Sequence, residues 1–162
     1  RQQLLEAIDA CAENQRQYKP LPQEWSMVQV VTHLATTEQK ILLYMQDKID
    51  KQAALKTAGF AAWARTIVVK YALRYKKKIK APAVITTPTA DVSYETVKQD
   101  WEQDRQRLSQ FLEKLPEAAK DKEIFRHPIV GMMNIYHTLA FMREHVLHHI
   151  AQVKRLETAS KK

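Results

Sequence analysis

The sequence predicts an all-α protein, a four-helix bundle in which one long crossover connection carries a short extra helix. The chain of 162 residues contains only 2 glycines and 6 prolines. The prolines lie between segments whose apolar residues recur every three or four positions, the period of an amphipathic helix. No segment shows the apolar–polar alternation of a half-buried strand. Helices with one apolar stripe each bury it by packing together, so a bundle is the expected architecture.

The first two predicted helices span about 1–17 and 26–49. Pro20 and Pro22 lie in the loop between them. Ser26 is followed three residues later by Gln29, a capping-box pattern, so the second helix is expected to begin near 26. The apolar face of the first helix contains Leu4, Leu5, Ile8, Cys11 and Ala12, and that of the second contains Val30, Leu34, Ile41 and Met45.

The predicted crossover runs from about 50 to 91. Within it, residues 51–80 show helical spacing around Trp63 and end in a basic run, Arg74–Lys80. Residues 81–91 are expected to form an extended loop. Such a basic run is typical of a solvated helix end, although it could also contact an anion.

The last two predicted helices span about 92–115 and 132–157, with a loop over 116–130 between them. The first of these two has the seam of a packed helix, with spacings of four and three residues. Asp104 interrupts this seam, either as an acceptor for a buried histidine or as an acid at the solvent edge. The seam consists of Val97, Trp101, Asp104, Leu108, Phe111 and Leu115.

Length and composition indicate one domain over 1–162, large enough to bury a core without disulfides. The single cysteine, Cys11, cannot build a disulfide framework and is expected to be a buried small apolar residue in a cytoplasmic protein. No apolar run reaches the roughly 20 residues that a membrane span needs, so we expect neither a signal peptide nor a membrane-spanning segment. The net charge of +8 favours anionic partners in general. The sequence contains no nucleic-acid recognition motif, so nucleic acid is not an expected partner.

Histidines are the residues that point most directly to chemistry. His145 and His149 are four positions apart, so they share one face of the last helix, together with several polar residues. His33 lies at the edge of the apolar side of the second helix. Facing helices of a bundle often build metal sites, and three histidines with an open position suit a divalent transition metal.

Spacing alone leaves a simpler interpretation open, because two histidines one turn apart also occur by chance as hydrogen-bonded or half-exposed residues. His148 lies about 100° from His149 around the helix, so it is expected to be a neighbour or a surface group, as is His137. His127 precedes a proline and is expected to be a turn residue, with a place at the mouth of the site as the alternative.

Three segments of the chain resemble the DinB/YfiT-like superfamily, and they occur in its order. Residues 25–34 resemble the segment W-S-x-x-Q-x-x-x-H-L, with Glu38 at the acidic position that follows. Residues 125–131 resemble F-x-H-P-x-x-G, and residues 145–153 resemble H-x-x-x-H-x-x-Q-I/V. Trp25 matches the first pattern, although it could also simply staple the start of its helix.

The resemblance implies a four-helix bundle, usually a homodimer, with a metal bound by His33, His145 and His149. In relatives the metal is zinc or nickel, and some relatives are enzymes that use low-molecular-weight thiols such as bacillithiol or mycothiol. The resulting hypothesis is a metal-dependent thiol S-transferase or hydrolase. The alternative is a non-catalytic helical stress or interaction protein with a structural metal or none.

Overall fold

The computed structural model describes residues 1–51, 55–59 and 92–161. Within these residues it has six helices and two short strands. In chain order they are α1 (Gln2–Asp9), α2 (Glu13–Gln17), α3 (Met27–Asp50), α4 (Tyr94–Lys114), α5 (Glu117–Lys120), β1 (Phe125–His127), β2 (Gly131–Met133) and α6 (Ile135–Ala159). The prediction of an all-α protein is confirmed.

The prediction of one helix over 1–17 is wrong, because the chain breaks between α1 and α2. Ala12 is extended, with φ −67° and ψ 159°, and it is exposed instead of sharing the apolar face. The Arg16 guanidinium donates hydrogen bonds to the carbonyl oxygens of Ile8 and Asp9, each at 3.1 Å. Carbonyl groups at a helix end need such partners, so the Arg16 side chain stabilises the break. Cys11 still reaches the core, with 5% of its surface exposed.

Helix α3 begins where the capping pattern predicted. Ser26 Oγ accepts a hydrogen bond from the Gln29 backbone N–H, and Gln29 Oε1 accepts one from the Ser26 N–H. This reciprocal pair satisfies donors that the helix itself leaves without partners. The predicted apolar side of α3 is buried along its whole length, at Val30, Leu34, Ile41 and Met45.

Helix α4 likewise follows its predicted seam. Ser93 caps it by accepting a hydrogen bond from the Thr96 N–H at 3.1 Å. Trp101 is fully buried, Phe111 is partly buried, and the other seam residues, Asp104 included, are buried.

The segment between α4 and α6 departs from the predicted loop over 116–130. It contains the short helix α5 and a two-stranded antiparallel hairpin in which Phe125 pairs with Met133. Gly131 adopts φ +80°, a conformation that favours glycine at this turn. Helix α6 therefore begins at Ile135, later than the predicted 132, after Asn134 caps it by accepting from the His137 N–H at 3.0 Å.

Most of the predicted crossover, including its extra helix, Trp63 and the basic run Arg74–Lys80, lies outside the described residues. In the described part, Thr57 forms a β-bridge with Lys122. The Ala58 N–H donates to the Asp121 carbonyl oxygen at 2.8 Å. Residues 55–59 are thus tied to the segment that precedes the hairpin.

Two apolar clusters form the core. Helix α3 contacts α4 and α6, and α1 contacts α6. One cluster contains α1 with the first half of α3, and the other contains the second half of α3 with the hairpin. Buried polar groups lie between the two clusters along the chain, among them Glu38 on α3 and Glu144 on α6. None of the described helices combines the length and hydropathy needed to cross a membrane.

Candidate metal centre

Helices α3 and α6 bring together three histidines that are far apart in sequence. His33 Nε2 and His149 Nε2 each lie 3.2 Å from His145 Nε2. One ligand atom from each residue lies within 4.8 Å of the other two. His33 and His149 are buried, and His145 is partly exposed. Among the described residues, these three histidines form a group whose ligand atoms are close enough together to hold a metal ion.

The two Nε2–Nε2 distances that involve His145 are close to the spacing of two ligands on one transition-metal ion. Two imidazole nitrogens bound at about 2.0–2.1 Å to one tetrahedral ion lie about 3.3–3.4 Å apart, close to the 3.2 Å found for both His145 pairs. Three such ligands would leave a coordination position of a bound ion open for a water molecule or a substrate atom, as in catalytic rather than structural zinc sites.

The electrostatics of the cluster favour neutral imidazoles. Burial lowers the pKa of His145 well below 6.5, and the neighbouring His149 lowers it further. Burial is the main cause, and His33 the second, that lowers the pKa of His149 to about 3. Both rings are therefore neutral at pH 7, and metal ligation requires neutral imidazole.

Gln152, three residues after His149 on α6, orients the His149 ring. His149 Nδ1 lies 2.8 Å from Gln152 Oε1. Because this oxygen is an acceptor, His149 Nδ1 carries the proton and Nε2 keeps its lone pair toward the cluster. Such an outer hydrogen bond fixes the tautomer of a metal-binding histidine and raises its basicity.

Aromatic rings enclose the three imidazoles. The Trp25 ring lies 5.0 Å from His33 and stacks on His149 at 6.5 Å between ring centroids. Phe141 stacks on His145 with centroids 5.4 Å apart and 13° between the ring planes. Trp25 thus contacts two of the histidines, so its role goes beyond packing at the start of α3. These rings reduce the access of water to the cluster.

His127 was expected in a turn, and it hydrogen-bonds the turn backbone while being buried. Its Nδ1 accepts from the N–H groups of Ile129 and Val130, at 3.1 and 3.3 Å. The proton of the neutral ring therefore lies on Nε2. Burial lowers the pKa of His127 to about 4. Its ring contacts Phe141 edge to face at 4.5 Å, so His127 adjoins the aromatic wall of the cluster.

The remaining histidines do not join the cluster. His148 is exposed, as predicted, and touches His149 only edge to face, at 5.1 Å between centroids. His137 is partly buried, and burial lowers its pKa. The suggestion that Asp104 accepts from a ligand histidine finds no support, because the hydrogen bond that Asp104 accepts comes from Arg107 at 2.9 Å.

Two buried carboxylates, one on each of the helices that supply the histidines, were not singled out by their spacing in the sequence. Glu38 accepts from Trp101 Nε1–H and from Arg105 Nε and Nη2, each at 2.6 Å. Glu144, next to His145, accepts from Arg143 at 3.0 Å. In the sequence both glutamates look like ordinary helix-surface acids. The one signal was the position of Glu38 at the acidic place after the first family-like segment.

Comparison with known proteins finds a family model that matches the chain. No curated protein and no solved structure shows significant similarity to the chain. The family model described as the DinB superfamily matches residues 1–153 and so includes all three histidines. This match extends over nearly the whole chain, from α1 to within α6. The protein belongs to the DinB superfamily.

Proposed function

We propose that this protein is a metal-dependent enzyme, a low-molecular-weight thiol S-transferase or a hydrolase, whose zinc or nickel ion is held by His33, His145 and His149. The observation that supports it most strongly is the convergence of three Nε2 atoms, with both His145 pairs at 3.2 Å. When bound, such an ion lowers the pKa of a water or thiol, so that a nucleophile is available near neutral pH.

The residues of the chain have separate roles in this proposal. The three imidazoles bind the ion through Nε2, and Gln152 keeps the proton of His149 on Nδ1. Trp25 and Phe141 exclude water from two sides of the cluster. A donor set of three protein ligands supports catalysis over a purely structural role, since structural zinc sites normally have four.

The net positive charge of the chain suits a thiol cosubstrate that carries carboxylates. The chain has 26 Lys and Arg against 18 Asp and Glu, and a basic surface attracts anions over distances of about 10 Å at moderate salt. The family resemblance supports a homodimer, and the single buried cysteine supports a cytoplasmic location. Size-exclusion chromatography with light scattering tests the dimer, and a monomer at micromolar concentration would contradict it.

Metal content is the first test. Elemental analysis of the native protein should find about one equivalent of zinc or nickel per chain, and His145→Ala should lose it because two ligands hold such ions weakly. The matched control is His148→Ala, which removes an exposed histidine from the same helix and should keep the metal. Less than roughly a tenth of an equivalent of any transition metal, with no uptake on titration, contradicts a metal site of this kind.

Activity is the second test. The metal-loaded protein is assayed with bacillithiol, mycothiol and glutathione against electrophilic substrates, and with ester and amide substrates for hydrolysis. Thiol-dependent turnover that disappears on chelation and returns with the metal supports the enzyme. A chelator that lowers the unfolding temperature, with no turnover in either assay, supports instead a non-catalytic protein with a structural metal.

A further inference from the structure

A second cavity, separate from the histidine cluster, lies between the start of α1, α4 and α6. Its volume is about 410 Å³, within the range of small-molecule sites. Its wall combines three arginines with four apolar side chains. The lining residues are Arg1, Arg105, Leu139, Met142, Arg143, Val146 and Leu147. None of the three candidate metal ligands is among them.

The guanidinium groups of this wall donate hydrogen bonds to glutamates. These glutamates are buried or half-exposed and do not line the cavity. Glu38, with 4% of its surface exposed, accepts two hydrogen bonds from Arg105 at 2.6 Å. Glu144, with 3% exposed, accepts one from Arg143 at 3.0 Å. A guanidinium has five N–H donors, so each arginine keeps donors beyond those that its carboxylate uses. The carboxylates orient the arginines and do not close the cavity to an anion.

Arg1 supplies an independent indication of a ligand. Its Nη2 donates to Glu102, but its Nη1 is buried and has no hydrogen-bond partner within the described part of the chain. A buried donor without an acceptor is destabilising and is uncommon in folded proteins. An anion in the cavity would provide the missing acceptor.

The other half of the wall is apolar and comes from one helix. Leu139, Met142 and Val146 follow each other at three- and four-residue spacing on α6, so they form one continuous face. Leu147 keeps 40% of its surface exposed. A ligand whose charged end met the arginines would thus place its remaining atoms against hydrocarbon.

We propose that this cavity binds a small carboxylate with an aliphatic tail: the carboxylate accepts hydrogen bonds from Arg1, Arg105 and Arg143, and the tail packs on the apolar face of α6. Guanidinium groups match the two oxygens of a carboxylate geometrically. Burial of the methylene groups of the tail is favourable in proportion to the apolar area removed from water, so affinity depends on both halves of the ligand.

Calorimetric titration with three probes tests this division of the site. Decanoate has both features, acetate has the carboxylate alone, and decyltrimethylammonium has the tail with the opposite charge. With the full chain and probes below their micelle concentrations, decanoate should bind at least about tenfold more tightly than either of the others. Equal binding of decanoate and decyltrimethylammonium overturns the proposal, as does no detectable binding of decanoate.

Two variants locate the binding. Leu147→Glu puts a carboxylate into the wall at a half-exposed position, and it should weaken decanoate binding about tenfold or more by charge repulsion. Its matched control, Leu43→Glu, alters a residue that is 58% exposed and does not line the cavity, and it should leave the affinity unchanged. Equal affinity in both variants shows that decanoate binds elsewhere and contradicts the proposal.

Arg143→Gln removes one positive charge from the wall of the cavity. It should weaken decanoate binding and should change the affinity for decyltrimethylammonium little. Treatment with a chelator should not change the decanoate affinity, because the histidine cluster does not line this cavity. This arm separates failure of the carboxylate site from failure of the metal site.

Discussion

His149 Nδ1 donates a hydrogen bond to Gln152 Oε1 at 2.8 Å, and this contact leaves His149 Nε2 as the nitrogen that faces His145 at 3.2 Å. One side chain on α6 thereby sets the tautomer of another three residues away. The orientation of the cluster depends on this pair as well as on the three histidines.

Removal of the Gln152 oxygen should weaken metal binding. Gln152→Leu leaves His149 Nδ1 without its acceptor, so we expect a loss of metal affinity of about 10- to 100-fold. Competition with a coloured chelator measures it. Gln152→Glu, which keeps an acceptor at that place, is the control and should retain high affinity. The same affinity for Gln152→Leu and the parent would mean that this contact does not tune the site.

Acid should destabilise the metal-free protein through its neutral buried histidines. The pKa values of His149 and His127 are lowered to about 3 and about 4, and that of His145 lies well below 6.5. Between these values and 6.5 the unfolded chain binds more protons than the folded one, so the free energy of unfolding falls as pH falls through 6.5 toward 4.

Each such histidine adds a slope of at most about 1.4 kcal/mol per pH unit in this window. Urea unfolding of the chelator-treated protein between pH 7.5 and 4.5 measures the slope. The His149→Gln variant lacks one titrating group, so its stability should depend less steeply on pH. A parent protein that is more stable at pH 5 than at pH 7 would contradict the expectation.

Glu38 should be important for stability because it is the acceptor for two side chains of α4. Glu38→Ala leaves Trp101 Nε1–H buried without this acceptor and removes both hydrogen bonds of Arg105 to the carboxylate. We expect a loss of about 3 kcal/mol in the free energy of unfolding. Chemical denaturation measures it.

The control for Glu38→Ala is Glu102→Ala. Glu102 also pairs with an arginine, Arg1, but its side chain is 49% exposed. Surface ion pairs contribute little to stability, so this variant should unfold nearly as the parent does. Similar losses in both variants would show that burial of the Glu38 carboxylate is not what matters.

His127 should stabilise the hairpin turn as a hydrogen-bond acceptor. His127→Leu leaves the N–H groups of Ile129 and Val130 without the Nδ1 acceptor, so we expect a loss of about 1–3 kcal/mol. In His127→Asn the side-chain oxygen can take the place of Nδ1 and should restore part of the loss. Hydrogen exchange at the two amides reports the effect locally, and unchanged protection in His127→Leu would refute this role.

Local patterns in the sequence were sufficient for the long helices and for part of the site. The four-residue spacing of His145 and His149 placed both on one face of α6, since helical periodicity is a local property. The capping pair Ser26 and Gln29 located the start of α3 for the same reason. The position of His33 on the apolar side of the second helix suggested it as a third ligand, and the resemblance to a family strengthened that suggestion.

Other features depend on side-chain contacts beyond the helical repeat, and only the tertiary structure decided them. The break between α1 and α2 is stabilised by the Arg16 side chain, which reaches back to carbonyl groups that a continuous helix would use itself. The structural role of Glu38 comes from Trp101 and Arg105 on another helix. Local propensity does not encode such partners, because they are brought together only when the helices pack.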